Sequence, residues 1–237
     1  MGKFQLATTA VIVQARMSSA RLPGKVLRPA HGKPMLAYLL ERLARLSHDA
    51  PVIVATSDEA SDDPVAAYCA DAGTRCVRGP LDDVAARFLH AIDAAGADGF
   101  ARISADSPLI DPAIVDRALG LFADTRADLV TNVMPRSFPK GMSVEVIDSD
   151  AFRRAQTQMD APGDREHVTP VFYRRPGDWR IEAFTRDPAL GAINLSVDTP
   201  EDFSAFERIV ARMESPHWTY GLDDILALRA RAEPAPA

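Results

Sequence analysis

The sequence predicts an α/β protein with a mostly parallel central sheet flanked by helices and a small β-containing lobe. Short apolar runs typical of buried strands recur between stretches with helical periodicity. This alternation favours a parallel sheet, because consecutive parallel strands need a crossover that is usually a helix. The length of 237 residues suits a single domain of this class.

The predicted strands are short and rich in Val, Ile and Leu. Four buried strands are expected at 11–13, 52–55, 99–103 and 129–131. A further strand, at 193–197, is expected to return to the main sheet. The run at 144–146 alternates like the edge of a sheet.

The predicted helices show apolar residues every three to four positions, with start signals at several ends. They are expected at 34–46, 63–72, 82–95, 112–122 and 200–213. Asp82 or Asp83 is expected to cap the third helix. Asp111 caps the fourth, and Pro112 occupies its first turn.

The amino-acid composition of the chain changes over 135–190, where prolines and aromatic residues become frequent. We interpret this stretch as a smaller lobe for acceptor binding or dimerisation within one domain that spans 1–230. The Pro- and Ala-rich segment 231–237 is expected to be disordered.

The bulk charge limits the classes of partner. A net charge of −6 argues against general nucleic-acid binding, which needs a basic face. No apolar run approaches the roughly 20 residues of a membrane span, so a cytoplasmic protein with no membrane partner is expected. A local basic loop on such a chain fits a small anionic ligand.

Such a loop directly follows the first predicted strand. It contains Arg16, Arg21 and Lys25 together with serines and a glycine. Fixed cations and backbone N–H donors can bind a polyphosphate, and ligands of parallel sheets lie at the carboxyl ends of strands. Neither the phosphate-binding loop motif of nucleoside triphosphatases nor the dinucleotide fingerprint is present. The alternative is a solvated, positively charged loop.

Two aspartates stand where other predicted strands end. Asp106 follows the strand at 99–103, and Asp198 follows the one at 193–197. Mg²⁺ takes one or two protein carboxylates and fills its other positions with phosphate oxygens and water. Each aspartate could instead be a helix cap. Together with the loop cations, the pair indicates a nucleoside triphosphate with a metal ion.

The segment "QARMSSARLPGKVL" resembles the opening loop of sugar-acid cytidylyltransferases. The resemblance is greatest to the branch named for spore-coat polysaccharide biosynthesis protein F. CMP-Kdo synthetases and acylneuraminate cytidylyltransferases resemble the chain more distantly. It continues through "GKPML", "ATSDE", "DDVAARF", "RISADSPLIDP", "VEV", "REHVTP" and "VDTPEDF", and spans roughly residues 9–210.

The resemblance implies a GT-A-like (Rossmann-like) nucleotidyltransferase fold, CTP as donor, Mg²⁺ as cofactor and a homodimer. The implied reaction is attack of an acceptor oxygen on the α-phosphorus of CTP with release of pyrophosphate, in surface polysaccharide or glycan biosynthesis. The acceptor would be a sugar acid or a similar anion. Arg16, Lys25 and Asp106 are implied to carry catalysis.

The resemblance also assigns binding residues. The implied nucleotide contacts are Gln14, Ala15, Arg16, Ser18, Arg21, Lys25 and Arg78. Asp106 and Asp198 are implied to bind the metal, and Glu145 and His167 to lie on the acceptor side.

Three departures and two rival functions accompany this assignment. Ser18 and Ala20 replace the Gly and Thr usual in the loop, and Ser143 stands where Asp is usual. One rival is a glycosyltransferase of the same fold that uses a nucleotide sugar. The other is a nucleotide-binding protein without catalytic activity.

Overall fold

A seven-stranded sheet organises residues 8–232, the part of the chain that the computed structural model describes. Its strands are β1 (Thr9–Gln14), β4 (Val52–Ser57), β5 (Arg75–Gly79), β6 (Gly99–Ser104), β7 (Leu129–Thr131), β8 (Glu145–Asp148) and β9 (Ile181–Ala183). Their spatial order is β5-β4-β1-β6-β8-β7-β9. Only the pairings of β8 with β6 and β7 are antiparallel. The predicted mostly parallel sheet is therefore confirmed. The short strands β2 (Pro29–Ala30) and β3 (Lys33–Pro34) form a separate pair.

Helices cover both faces of this sheet. They are α1 (Met35–Leu43), α2 (Asp63–Asp71), α3 (Val84–Ala95), α4 (Pro112–Thr125), α5 (Ser149–Gln156), α6 (Asp164–His167), α7 (Pro170–Arg174), α8 (Pro200–Val210) and α9 (Leu222–Ala232). All five predicted helices are confirmed. Asp83 caps α3 through the Ala86 N–H, and Asp111 caps α4. None of the helices within residues 8–232 is long and apolar enough to cross a membrane.

The core consists of two apolar layers, one on each face of the sheet. Along β1, Val11 and Val13 enter the layer beneath α1, α4, α8 and α9, whereas Ala10 and Ile12 enter the layer beneath α3, α5 and α7. Because both faces are buried, the strand is a continuous apolar run rather than an alternating one. Its last residue, Gln14, is polar and half-buried, so the apolar core ends at the carboxyl end of β1.

The prediction of a sheet edge at 144–146 is wrong. Strand β8 lies inside the sheet, between β6 and β7. Its polar residue, Glu145, is buried and paired with Arg102 of the neighbouring strand rather than with water. Residues 135–190 thus contribute β8 and β9 to the main sheet, and a separate role for this stretch stays a prediction.

The segment 193–197 is not a strand of the main sheet, contrary to prediction. It forms a single bridge between Asn194 and Lys140. The Asn194 side chain accepts a hydrogen bond from the Ser196 N–H at 3.1 Å, a local contact that competes with strand pairing. At its end, the Val197 N–H donates to the Asp106 carbonyl at 2.8 Å, which joins two segments of interest for the site.

Helix α9 extends through residue 232, so the first two residues of the predicted disordered tail are helical. Residues 233–237 lie outside the described residues. Strand β5 and helices α5 and α9 were not predicted, because β5 has two arginines among five residues and both helices are highly charged.

A buried arginine fastens the C-terminal segment to the body of the fold. Arg42 of α1 is fully buried and donates to three backbone carbonyls, those of Ile110, His217 and Tyr220. Burial lowers the pKa of Arg42 to about 10, so it remains charged at neutral pH. One guanidinium therefore satisfies carbonyls from two distant parts of the chain.

Candidate active site

A cavity of about 390 Å³ opens at the carboxyl ends of β1 and β6, beside α3 and α6. Chemistry was predicted at the carboxyl ends of the strands that end at 13, 55, 103 and 131; the cavity lies at the first and third of these ends, and the residues after 55 and 131 do not line it. The predicted site residues that line it are Gln14, Ala15, Arg16, Arg21, Lys25, Asp106, His167 and Asp198. Strands β1 and β6 are adjacent and parallel, which brings their ends together.

The loop after β1 is held in shape by buried hydrogen bonds. The Met17 N–H donates to Asp62 at 2.6 Å, and the second carboxylate oxygen of Asp62 accepts from the Ser57 N–H at 3.0 Å. The Gly24 N–H closes the loop on the Met17 carbonyl at 2.8 Å. Gly24 has φ +72°, a conformation that favours glycine. This anchoring lets the loop present its cations without a ligand.

Lys25 lies at the centre of the charged end of the cavity. Its side chain is 9% exposed. Its Nζ donates to the Val197 carbonyl at 2.7 Å and to Asp198 at 2.8 Å. The same Nζ lies 3.8 Å from an oxygen of Asp106. Both carboxylates therefore converge on one cation.

Asp198 is not the cap of the helix that follows it, so that alternative is wrong. The N-cap of α8 is Thr199, whose side chain accepts from the Asp202 N–H in a capping box. The Asp198 carboxylate is thus available to Lys25 and, at 3.2 Å, to Arg21. Burial alone would raise the pKa of Asp198, but its hydrogen bond with Lys25 and the nearby positive charges outweigh burial and hold the pKa below its ordinary value.

Asp106 is not a helix cap either, because Asp111 caps α4. Its side chain accepts from the Ser107 hydroxyl at 3.1 Å and faces the cavity. Asp106 and Asp198 supply hard oxygen ligands that already meet around a cation, which is the donor set that Mg²⁺ takes beside substrate phosphates. No group of three or more possible metal ligands occurs within residues 8–232, so the remaining ligands would come from substrate and water.

A short helix closes the cavity opposite the loop. Glu166 of α6 forms an ion pair with Arg16 at 3.0 Å. The next residue, His167, lines the cavity, and its carbonyl accepts from the Thr169 N–H at 2.8 Å around Val168. Val168 has φ +71° and ψ −50°, a strained turn for a β-branched residue. Such strain is found where the surrounding structure fixes a functional segment.

Three residues of the predicted site do not line the cavity. Ser18 lies on the loop, but its neighbours Ser19 and Ala20 form the lining. Arg78 pairs with Asp63 at 2.7 Å and donates to carbonyls of the 57–59 segment. Glu145 lies behind Arg102, which separates it from the cavity.

Five further polar residues line the cavity but are absent from the predicted site: Ser19, Arg87, Arg102, Ser104 and Glu166. The sequence pattern could have identified two of them, Arg87 and Arg102. Arg87 falls at a position where the period of α3 requires an apolar residue, next to buried Phe88. Arg102 lies within an apolar strand that is buried on both sides. A charge in such a place needs a partner or a ligand.

The chain is similar in sequence to known proteins of one family. The family model described as "Cytidylyltransferase" matches residues 10–221. The spore coat polysaccharide biosynthesis protein SpsF of Bacillus subtilis is 30% identical over 84% of this chain and 84% of its own. A 3-deoxy-manno-octulosonate cytidylyltransferase of Tolumonas auensis is 30% identical over 72% of this chain and 67% of its own.

The chain is also similar in fold to a solved structure. A cytidylyltransferase from Leptospira borgpetersenii superposes with a TM-score of 0.89 at 26% identity, covering 95% of this chain and 94% of its own. The family match covers the loop, both aspartates and the α6 segment. The chain therefore belongs to the cytidylyltransferase family and is a nucleotidyltransferase.

Proposed function

We propose that the protein transfers a cytidylyl group from CTP to a sugar acid or a similar anionic acceptor and releases pyrophosphate. One observation carries this proposal: the cations of a single loop and two convergent aspartates face the same cavity. The names of the relatives supply the nucleotide and the acceptor class, and the name of SpsF supplies a role in surface polysaccharide biosynthesis.

The loop residues bind and orient the triphosphate. Arg16, Arg21 and Lys25 neutralise the charge that grows on the leaving pyrophosphate. The backbone N–H groups of Ala20 and Arg21 make no hydrogen bond within residues 8–232 and can donate to phosphate oxygens. The acceptor oxygen attacks the α-phosphorus in line. Positioning and charge neutralisation account for most of the rate, as in related phosphoryl transfers.

Asp106 and Asp198 would hold Mg²⁺, which when bound supplies a positive charge that polarises the α-phosphate. Asp198 keeps its carboxylate ionised through Lys25, so it stays available as a ligand at neutral pH. Gln14 and Ala15 line the cavity at the end of β1 and are assigned to the base. His167 is assigned to the acceptor. The base-side role of Arg78 and the homodimer stay predictions.

Two rival functions differ in their products. A glycosyltransferase of this fold usually carries Asp-x-Asp at its metal site, whereas Asp106 here precedes Ser107 and Pro108. It would release a nucleoside diphosphate rather than pyrophosphate. A nucleotide-binding protein without activity would bind CTP and release no pyrophosphate with any acceptor. The retained loop cations and both aspartates favour the transferase.

A panel of nucleotides tests the proposal. We expect CTP with Mg²⁺ to raise the unfolding temperature more than ATP, GTP or UTP do, each measured with and without the metal. Binding to the folded state alone stabilises it by about 2.7 kcal/mol at a hundredfold excess over Kd. A larger shift with another nucleotide would exclude CTP as the donor, and no shift with any would exclude the whole assignment.

Glu166 competes with the triphosphate for Arg16, which leads to a separate prediction. Glu166→Gln should tighten binding of CTP by up to about fivefold at low salt, because the exposed ion pair that must break is worth roughly 0.2–1 kcal/mol. Titration calorimetry measures the change. Glu214→Gln makes the same charge change at an exposed position outside the cavity lining and should leave Kd unaltered. Weaker CTP binding by the Glu166 variant would contradict the competition.

A further inference from the structure

Unpartnered polar atoms concentrate on one wall of the cavity. Eight buried side-chain nitrogen or oxygen atoms within residues 8–232 lack a hydrogen-bond partner. Three of them belong to residues of the cavity lining: the Oε1 of Gln14, the Nε of Arg87 and the Nε of Arg102. Buried polar groups are normally paired, so a cluster of exceptions at one cavity indicates a missing ligand.

A buried network fixes the position of Arg102. On the sheet, Arg102 of β6 lies directly opposite Glu145 of β8, and its Nη1 donates to Glu145 Oε2 at 2.8 Å. The Tyr173 hydroxyl donates to the other oxygen of Glu145 at 2.5 Å. Thr131 continues the chain, at 2.8 Å from the Tyr173 oxygen. Burial, followed by the charge of Glu145, raises the pKa of Tyr173, which keeps this hydroxyl protonated as a donor.

Most N–H groups of the Arg102 guanidinium make no hydrogen bond within residues 8–232. A guanidinium has five N–H groups, and Glu145 receives the one hydrogen bond that Arg102 makes within residues 8–232. The edge formed by Nε and Nη2 is therefore free. Two parallel N–H groups on such an edge match the two oxygens of a carboxylate. Because Glu145 holds the opposite side of the group, the edge is oriented before any ligand arrives.

The charge on this wall is also unbalanced. Arg87 is 2% exposed, and within residues 8–232 its hydrogen-bond acceptors are the carbonyls of Pro80 and Leu81, both reached by Nη1. Burial lowers the pKa of Arg87, the nearby charge of Arg16 acts in the same direction, and three nearby aspartates only partly oppose them. Glu145 pairs with the half-buried Arg102, whereas the buried Arg87 has no hydrogen-bonded carboxylate within residues 8–232. An anion on this wall would relieve that cost.

Two ends of the cavity can thus be told apart. Lys25 and Arg21 contact Asp198 at the charged end, where the triphosphate and metal are placed by the proposed function. Arg102 lies towards the β8 side, because β6 separates β8 from β1 in the sheet. A second anion, distinct from the triphosphate, fits the wall at Arg102.

We propose that Arg102 binds the carboxylate of the acceptor, with Glu145 and Tyr173 as positioning residues that orient its guanidinium. This inference rests on the proposed function, since it assumes that the triphosphate occupies the other end. It corrects the implied role of Glu145, which contacts Arg102 instead of the acceptor. It narrows the anionic acceptor of the proposed function to a carboxylate.

Lactate and its neutral amide, lactamide, serve as probes of the site. With the protein saturated by CTP and Mg²⁺, lactate should raise the unfolding temperature beyond a sodium chloride control, and lactamide should not. Arg102→Lys keeps the charge beside Glu145 but loses the two-pronged edge. It should weaken lactate binding about ten- to a hundredfold while the affinity for CTP stays unchanged. Methyl phosphate in place of lactate tests whether a phosphate monoester is bound instead.

Further variants distinguish a specific loss of lactate binding from misfolding. Arg102→Gln combined with Glu145→Gln replaces the buried ion pair by two amides and should also lose lactate binding. Tyr173→Phe should weaken lactate binding several-fold with an unchanged Kd for CTP, which a purely structural role would not produce. The exposed Arg153→Lys is the matched control and should behave as the wild type.

Specific results would overturn the inference. Equal stabilisation by lactate and lactamide, a preference for methyl phosphate, or lactate binding that persists in both Arg102 variants would each exclude a carboxylate site at Arg102. Failure of CTP to bind would instead refute the proposed function. In that case the lactate titration of the nucleotide-free wild type and Arg102→Lys would still test the site separately.

Discussion

Asp106→Ala is expected to reduce pyrophosphate release from CTP by about three orders of magnitude or more, because in the proposed mechanism this carboxylate holds the metal at the reacting phosphate. The fold should survive. The side chain of Asp106 is partly exposed, and within residues 8–232 its contacts are a hydrogen bond from Ser107 and the 3.8 Å ion pair with Lys25. The loss should therefore appear in turnover and in metal dependence, and not in the unfolding temperature.

The measurement compares initial rates of pyrophosphate release over a range of Mg²⁺ concentrations, once an acceptor has been found in a panel of sugar acids. Asp150→Ala removes the same group from the first turn of α5, at an exposed position outside the cavity, and should keep the wild-type rate. An Asp106→Ala protein with the wild-type rate and metal response would contradict the assignment of the metal site.

Arg42→Met is expected to lower the free energy of unfolding by about 3–5 kcal/mol, because three backbone carbonyls lose a charged donor in a buried place. Methionine keeps an apolar stem as far as the position of Nε, so the loss comes mainly from the missing guanidinium and its hydrogen bonds. The carbonyls of His217 and Tyr220 belong to the segment that leads into α9, and this segment should detach first. Neither the triphosphate loop nor the two aspartates contact Arg42.

Urea unfolding of the wild type and the variant measures the change. Arg153→Met, at an exposed position of α5, is the control and should alter stability by no more than about 0.5 kcal/mol. Hydrogen exchange should show faster exchange in residues 217–232 of the Arg42 variant. A loss below about 1 kcal/mol would mean that water replaces the guanidinium at these carbonyls.

Periodicity predicted the fold where both faces of a strand are apolar. The run at 11–13 could be identified because β1 is buried on both sides. It failed for β5, an edge strand with two arginines among five residues. It found β8 but placed it at a sheet edge, whereas Glu145 pairs with Arg102 of the neighbouring strand inside the sheet. A charge paired within the protein is indistinguishable in sequence from a charge that faces water.

The site was predicted where one loop or one strand end carries it. The cations at 16–25 and Asp106 come together because β1 and β6 pair directly, as the rule for parallel sheets requires. Asp198 was placed through an expected strand that does not form; it reaches the site because the Val197 N–H binds the Asp106 carbonyl. Arg102 could not be assigned, because its partner lies 43 residues away on an antiparallel strand.

A crystal structure with CTP and Mn²⁺ would show whether the loop after β1 binds the triphosphate and whether the two aspartates bind the metal. Mn²⁺ can replace Mg²⁺ and gives an anomalous signal. We expect the triphosphate on Arg16, Arg21 and Lys25, with an anomalous peak between Asp106 and Asp198. We also expect Arg16 to leave Glu166 for a phosphate oxygen. A nucleotide bound elsewhere, or a metal peak that contacts neither aspartate, would contradict the proposed site.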